Sequence, residues 1–187
     1  MNIETINQTL SEADCLYDQQ QVEAALDKMA AAISTVLHNS DPLVLCVLTG
    51  AIIPAGHLLT RLNFPMQIDY IHATRYAGET RGGELNWHVR PSHPLAGRNI
   101  LVIDDILDEG ITLAAIMEHC RKEGSAEVYS AVLVEKQHDR KNGLQADFVG
   151  LRTEDRYLFG YGMDYKGYLR NAPGIYCLLY TSPSPRD

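Results

Sequence analysis

The chain has 187 residues, 45% hydrophobic and 21% charged, which suits one domain of a globular protein able to bury a core without disulfide or metal staples. Its net charge of −8 makes it a poor general binder of nucleic acid, whose backbone calls for clustered Lys and Arg. No apolar run is long enough to span a bilayer, and MNIETINQTL lacks the basic start and apolar stretch of a secretory signal, so no membrane contact and a cytoplasmic location are expected. Cys15, Cys46, Cys120 and Cys177 form no CxxC pair and are expected as reduced, partly buried thiols. The histidines are scattered; the closest pair, His88 and His93, has no HExxH context, so a histidine metal site is not expected.

From Asp18 to Leu37 the apolar positions Val22, Ala25, Leu26, Met29, Ala30, Ile33, Val36 and Leu37 recur at helical spacing. Asp18 is the expected N-cap and Asn39 to Pro42 the stop. Leu43 to Leu48 (LVLCVL) is an unbroken apolar run of the kind that forms a strand buried on both faces. It ends at Thr49-Gly50, and a second helix follows through Ile52, His57, Leu58 and Leu62, with Pro54 tolerated in its first turn. Met66 to Ile71 reads as another strand. Ala73 to Pro94 is a long polar connection with little apolar patterning, a length usually reserved for functional or mobile segments.

Ile100 to Ile103 (ILVI) is a second fully apolar strand. A helix is expected from Thr112 to Glu123, with Leu113, Ile116, Met117 and Cys120 on its apolar face and Gly124 as its stop. Val128 to Val134 is the next strand, and short β pieces follow at Asp147–Gly150 and Tyr157–Tyr161, with a last strand ending near Cys177. Strands alternating with helices indicate an α/β fold with a mainly parallel, twisted sheet flanked by helices. Residues 1–180 read as one domain. Thr181 to Asp187 (TSPSPRD) reads as a disordered or non-native tail.

The chemistry is concentrated in Ile100 to Leu113, ILVIDDILDEGITL. A buried strand delivers Asp104 and Asp105 to its carboxyl end, where open α/β sheets bind ligands. Adjacent carboxylates there suit a metal or sugar hydroxyls. The chain then turns through Asp108, Glu109 and Gly110 into a helix. Gly110 lets backbone amides approach a ligand closely, and the Thr112 hydroxyl and the helix N-terminus complete an anion site fit for a phosphate. An acidic chain that binds phosphates also needs a positive charge, which Mg²⁺ would supply.

This segment resembles the 5-phosphoribosyl 1-pyrophosphate (PRPP) signature of the type I phosphoribosyltransferase family: apolar strand, two acids, two apolar residues, acid, x, Gly, x, Thr. The resemblance implies that family's fold, with a small hood lobe built from the chain ends. It implies that Asp104 and Asp105 meet the ribose hydroxyls of PRPP directly or through Mg²⁺, and that Asp108, Glu109, Gly110, Ile111 and Thr112 wrap the 5′-phosphate. In the purine branch the residue at Asp108 is also the proposed base for N7 of the purine.

Four further segments are similar to the hypoxanthine–guanine branch. LTGA (Leu48 to Ala51) resembles a loop that binds pyrophosphate through backbone amides, often with a cis peptide; Thr49 and Gly50 stand there, and many relatives carry Lys where this chain has Thr49. Thr74 to Gly83 falls where the family has its lid, and Thr74-Arg75-Tyr76 is a loose version of the element that covers pyrophosphate. Lys136 sits where a lysine donates to O6 of the purine, an acceptor that adenine lacks.

DFVGLRTEDRYLFGYGMDYKGYLR (Asp147 to Arg170) resembles the family's ending. It implies that Tyr157 stacks on the base in place of the usual Phe, and that Leu158 offers backbone groups to it. It further implies that Asp164 joins a second Mg²⁺ site and Arg170 contacts pyrophosphate. The implied activity is purine salvage with a 6-oxopurine as the acceptor, in a homodimer or homotetramer. A xanthine preference and a nucleotide-sensing regulator on the same fold stay open. A phosphate-accepting signalling domain is disfavoured, because no acid on a separate strand completes its pattern.

Overall fold

Over the described residues, 2–75 and 85–178 in this computed structural model, the chain runs α1 (Ile3–Glu12), β1 (Asp14–Tyr17), α2 (Gln19–Leu37), β2 (Leu43–Val47), α3 (Ile52–Leu59), β3 (Gln67–Arg75) and β4 (Leu85–Val89). It continues through β5 (Asn99–Leu107), α4 (Ile111–Lys122), β6 (Glu127–Gln137), β7 (Phe148–Glu154), β8 (Leu158–Phe159) and β9 (Ile175–Cys177). Six strands form one sheet in the order β4-β3-β2-β5-β6-β7, parallel except for the edge strand β4. β1, β9 and β8 form a second, antiparallel sheet from the two ends of the chain. The expected α/β architecture and mainly parallel sheet are present.

The apolar runs are central because they need cover on both sides. β2 is buried at all five positions, and Ile100 to Ile103 of β5 are buried without a break. α2 and α3 pack on each other, while α4 packs across β3 to β6. The face predicted for α2 is the buried one, though Val36 at its edge stays exposed. Asp18 caps the helix as expected. Its carboxylate accepts from the Gln21 amide at 2.8 Å and the Gln21 side chain accepts from the Asp18 amide at 3.0 Å, a reciprocal capping box.

Several bounds differ from the sequence reading. β5 runs on through Asp104-Asp105 to Leu107, and β6 extends to Gln137, so Lys136 lies within the strand rather than after it. Parallel ladders carry these polar residues along because each strand pairs with its neighbour: Leu107 opposes Glu135, and Lys136 opposes Thr153. The ends of the polar connection Ala73–Pro94 are not a loop; they form the antiparallel pair β3–β4, with His72 opposite Val89 and Thr74 opposite Asn86. Its apolar residues are too few to show a period. α1 and β1 had no sequence signal strong enough to separate them from a polar N-terminus. Tyr76 and the rest of residues 76–84, and the tail 181–187, lie outside the described residues.

One buried carboxylate ties the segment after β4 back to β3. Asp69 accepts from the Tyr70 amide at 2.8 Å. It also accepts from the amides of Ser92 (2.7 Å) and His93 (2.9 Å) and from the Ser92 hydroxyl (2.9 Å), and its carboxylate lies 2.9 Å from His93 Nδ1. Burial alone would raise its pKa, but the donors of His93, Tyr70 and Ser92 outweigh it and hold the carboxyl well below the usual range. A depressed pKa gives stability that is complete above the unfolded value of about 4 and is lost as the pH falls toward the folded value. Asp69→Asn is therefore expected to cost about 1–3 kcal/mol at pH 7. The gap in urea midpoint between it and the wild type should narrow below about pH 4. An equal gap at pH 7 and pH 3 would refute the assignment.

Candidate active site

The order of strands reverses beside β2. The chain leaves β2 toward β3 on one side, while β5 lies against its other edge. Loops that leave the carboxyl ends of such neighbours in opposite directions open a crevice between them. Here that crevice is a cleft of about 250 Å³ between the turn after β2 and the loop after β5. Gly50, Asp104, Asp105, residues 108–112, Asp164 and Arg170 all line it. Thus the sequence-predicted phosphate segment, the pyrophosphate turn and two hood residues meet in one place.

The turn after β2 has a cis peptide between Leu48 and Thr49, as the resemblance implied. Thr49 is exposed at this turn. Gly50 packs against Asp105: a Cβ there would stand 2.2 Å from the carboxylate Oδ2. Asp105 is buried, and Asp104 beside it is partly so. Burial, with the neighbouring Asp105 charge second, pushes the Asp104 pKa well above the ordinary carboxylate value.

Gly110 caps α4 with φ +83°, a left-handed conformation that turns the chain from β5 into the helix. Asn142, which the sequence reading missed, braces this loop. Its amide donates to the Glu109 carbonyl at 3.0 Å and its side-chain nitrogen to the Gly110 carbonyl at 3.1 Å. No periodicity or motif marks Asn142, which reaches the loop only because β6 runs parallel to β5.

The same pairing brings Lys136 to Asp108. Lys136 is 1% exposed, and its Nζ donates to Asp108 Oδ2 at 2.8 Å and lies 3.4 Å from Asp155 Oδ1. His138 Nε2 is 2.6 Å from Asp108 Oδ1, and Arg140 donates to Asp155 Oδ2 at 2.7 Å. Burial works against ionisation of Asp108, but Lys136 and then His138 prevail and hold its pKa below the ordinary value. Asp108, His138 and Asp155 place one ligand atom each within 4.8 Å of one another. A metal there would compete with Lys136 Nζ, which already lies within reach of both carboxylates. Asp155, His138 and Arg140 carry no sequence signal of their own.

Tyr157 and Leu158 begin the hood. The Tyr157 hydroxyl donates to the Asp164 carbonyl at 3.2 Å and its ring meets Tyr165 edge-on at 5.8 Å. Leu158 is buried in the small sheet opposite Cys177. Lys136, Tyr157 and Leu158 do not line the cleft itself, but they adjoin it through Asp108 and Asp164. Arg170 pairs with Asp164 at 2.9 Å and donates to the Gly162 carbonyl at 2.6 Å. Tyr161 reaches back to Glu23 of α2, which also pairs with Arg61 and lies 3.0 Å from His57 Nδ1. Thr74 lies at the end of β3, 3.1 Å from His88 Nε2, and does not line the cleft; Arg75 closes the strand.

A family model, the phosphoribosyl transferase domain, matches residues 12–166. The chain belongs to the phosphoribosyltransferase family. The chain is 30% identical over 161 residues to the hypoxanthine-guanine-xanthine phosphoribosyltransferase of Tritrichomonas foetus, covering 86% of this chain and 88% of that protein. It is 29% identical over 161 residues to the hypoxanthine-guanine phosphoribosyltransferase of Bacillus subtilis, with 86% and 89% covered. Among solved structures, a hypoxanthine-guanine phosphoribosyltransferase from Bacillus anthracis superposes with a TM-score of 0.81 at 26% identity, over 89% of this chain and 98% of that one.

The hood and the turn after β2 approach each other closely. Gly162 has φ +109°, and a Cβ on it would stand 2.2 Å from the Gly50 carbonyl oxygen. Gly162→Ala is expected to cost about 1–3 kcal/mol, because both the backbone conformation and the contact must yield. The check is the urea midpoint; an unchanged midpoint would show that hood and turn are not in this contact in solution.

Proposed function

We propose that this chain transfers the 5-phosphoribosyl group of PRPP to N9 of hypoxanthine or guanine, giving IMP or GMP and pyrophosphate. The observation that carries the reading is the pairing of buried Lys136 with Asp108 at 2.8 Å beside the phosphate loop. A buried ammonium aimed at the cleft edge suits a carbonyl oxygen on the acceptor, and the wrong base would leave it unpaired. The names of the relatives support a 6-oxopurine acceptor.

The residues divide by the part of the substrate they meet. Residues 108–112 offer amides to the 5′-phosphate at the start of α4. Asp104 and Asp105 face the ribose. Two adjacent carboxylates, one with its charged form disfavoured, are oxygen donors that fit Mg²⁺, and that ion neutralises charge on the pyrophosphate leaving group when bound. The turn at Thr49 and Gly50 presents backbone to pyrophosphate, and Arg170, which lines the cleft together with Gly50, contacts it as well. Asp164 already pairs with Arg170 and accepts the Gly167 amide at 2.8 Å, so its part in a second metal site requires that pair to open. Tyr157 supplies a π face for the base. Thr74, Arg75 and Tyr76 belong to the lid that excludes water as pyrophosphate departs.

In the reaction the bond from C1′ to pyrophosphate oxygen breaks and the bond from C1′ to N9 forms. The purine proton passes from N7 to the Asp108 carboxylate. Lys136 and His138 keep Asp108 ionised in the free protein. When Lys136 turns its ammonium to O6 of the base, Asp108 loses its strongest stabilising partner and becomes a better base at the moment of need. As the resemblance to the family suggests, the protein works in the cytoplasm as a homo-oligomer.

The test offers Mg·PRPP with hypoxanthine, guanine, xanthine, adenine and uracil separately and follows nucleotide formation. Turnover is expected with hypoxanthine or guanine and little with adenine or uracil; xanthine turnover would extend the acceptor range to that of the Tritrichomonas foetus relative's name. Tight PRPP binding without any turnover would instead identify a regulator. Asp108→Asn is expected to lower turnover by a factor on the order of 10²–10⁴. Lys136→Gln should erode the preference for hypoxanthine over adenine, read as the ratio of kcat/KM values; an unchanged ratio would remove Lys136 from base selection.

A further inference from the structure

His138 is built into the site by a second contact, besides the one that helps keep Asp108 ionised. Its side chain is 8% exposed. The Arg140 backbone amide donates to His138 Nδ1 at 3.1 Å. A ring nitrogen that accepts carries no proton, so in the neutral ring the proton is on Nε2. That nitrogen faces Asp108 Oδ1 at 2.6 Å. The local turn after β6 therefore selects the tautomer that donates to Asp108.

We infer that His138 is a positioning residue that sets the plane of the Asp108 carboxylate for proton transfer from the purine; this rests on the role given to Asp108 above. Asp108 has two fixed donors, His138 on Oδ1 and Lys136 on Oδ2. Each carboxylate oxygen has two lone pairs, so one on each stays available to a ligand. With both donors in place the carboxylate cannot turn about its own axis without losing a hydrogen bond. In the proposed reaction Lys136 turns its ammonium from Asp108 to the purine oxygen. Arg140 Nη2 stands 4.0 Å from Oδ1 and is already committed to Asp155. The His138 donor then keeps the acceptor lone pair pointed at N7, where a reorientation would cost rate rather than binding.

The experiment compares wild type, Asp108→Asn, His138→Asn, His138→Gln and the double variant Asp108→Asn/His138→Asn, measuring kcat, KM for PRPP, KM for hypoxanthine and the thermal midpoint. Asn is too short to put its amide where Nε2 stands, whereas Gln places an amide N–H there. His138→Asn is expected to lower kcat about tenfold, the worth of one hydrogen bond to a charged group, with KM for PRPP unchanged. His138→Gln should recover most of that loss, and His138→Asn should cost nothing further in the Asp108→Asn background.

Wild-type kcat in His138→Asn, an equal loss in His138→Gln, or a loss that adds fully to that of Asp108→Asn would overturn the inference while leaving the reading of Asp108 intact. Full turnover by Asp108→Asn, or none by the wild type, would sink that reading and the inference with it. Should His138→Asn lower the thermal midpoint sharply, the Gln variant against Asp108→Asn decides: kcat near wild type supports positioning, and a tenfold loss in a folded protein overturns it.

Discussion

A lysine ammonium that is 1% exposed cannot stay charged without an answer, and the carboxylates of Asp108 and Asp155 supply it. Burying such a charge costs several kcal/mol before pairing, and removing a partner leaves most of that cost standing. The pair therefore constrains everything near it. The loop after β5 must bring Asp108 within 2.8 Å of a residue on the neighbouring strand. The parallel register of β5 on β6, with Leu107 opposite Glu135, is what makes that reach possible. The same constraint places residues 109–112, which follow Asp108 without a break into α4.

The sheet supplies the second condition. The reversal of strand order at β2 and β5 leaves a crevice, lined by residues of both strands and by Asp164 and Arg170 of the hood. The hood is held from outside the site by Tyr161 on Glu23 of α2, and from within by Arg170 on Asp164 and the Gly162 carbonyl. Burial and the Glu23 carboxylate both keep the Tyr161 hydroxyl protonated, since each disfavours the phenolate. The hood is thus anchored both outside the cleft and by residues that line it.

Much of this was legible before any coordinates. Continuous apolar runs at Leu43–Leu48 and Ile100–Ile103 announced strands buried on both faces, and the spacing from Val22 to Leu37 announced a helix, which packs on β7 and β6. The segment from Asp104 to Thr112 read as a phosphate and metal site because two acids, a glycine and a helix start occur in one short stretch. Where patterning was thin the reading failed. β4 lies in a polar stretch whose pairing depends on β3, and an edge strand needs no apolar period of its own. The extension of β5 through two aspartates was missed for a similar reason: a ladder tolerates polar residues when they open onto a ligand cleft.

The local pattern of apolar and acidic residues determined the fold class and marked residues 104–112 as the candidate site, because strand burial and a loop of acids and glycine before a helix are both encoded within a dozen residues. Contacts between distant segments were decided only in three dimensions. His138, Arg140, Asn142 and Asp155 hold no local signal, and their meaning comes from lying beside Asp108 and Gly110 once two parallel strands are in register. Which tautomer His138 adopts, and so which way it donates, depends on a backbone amide two residues along the turn. A sequence specifies that such groups exist, but their charge and hydrogen-bond roles belong to neighbours that only the folded chain brings near.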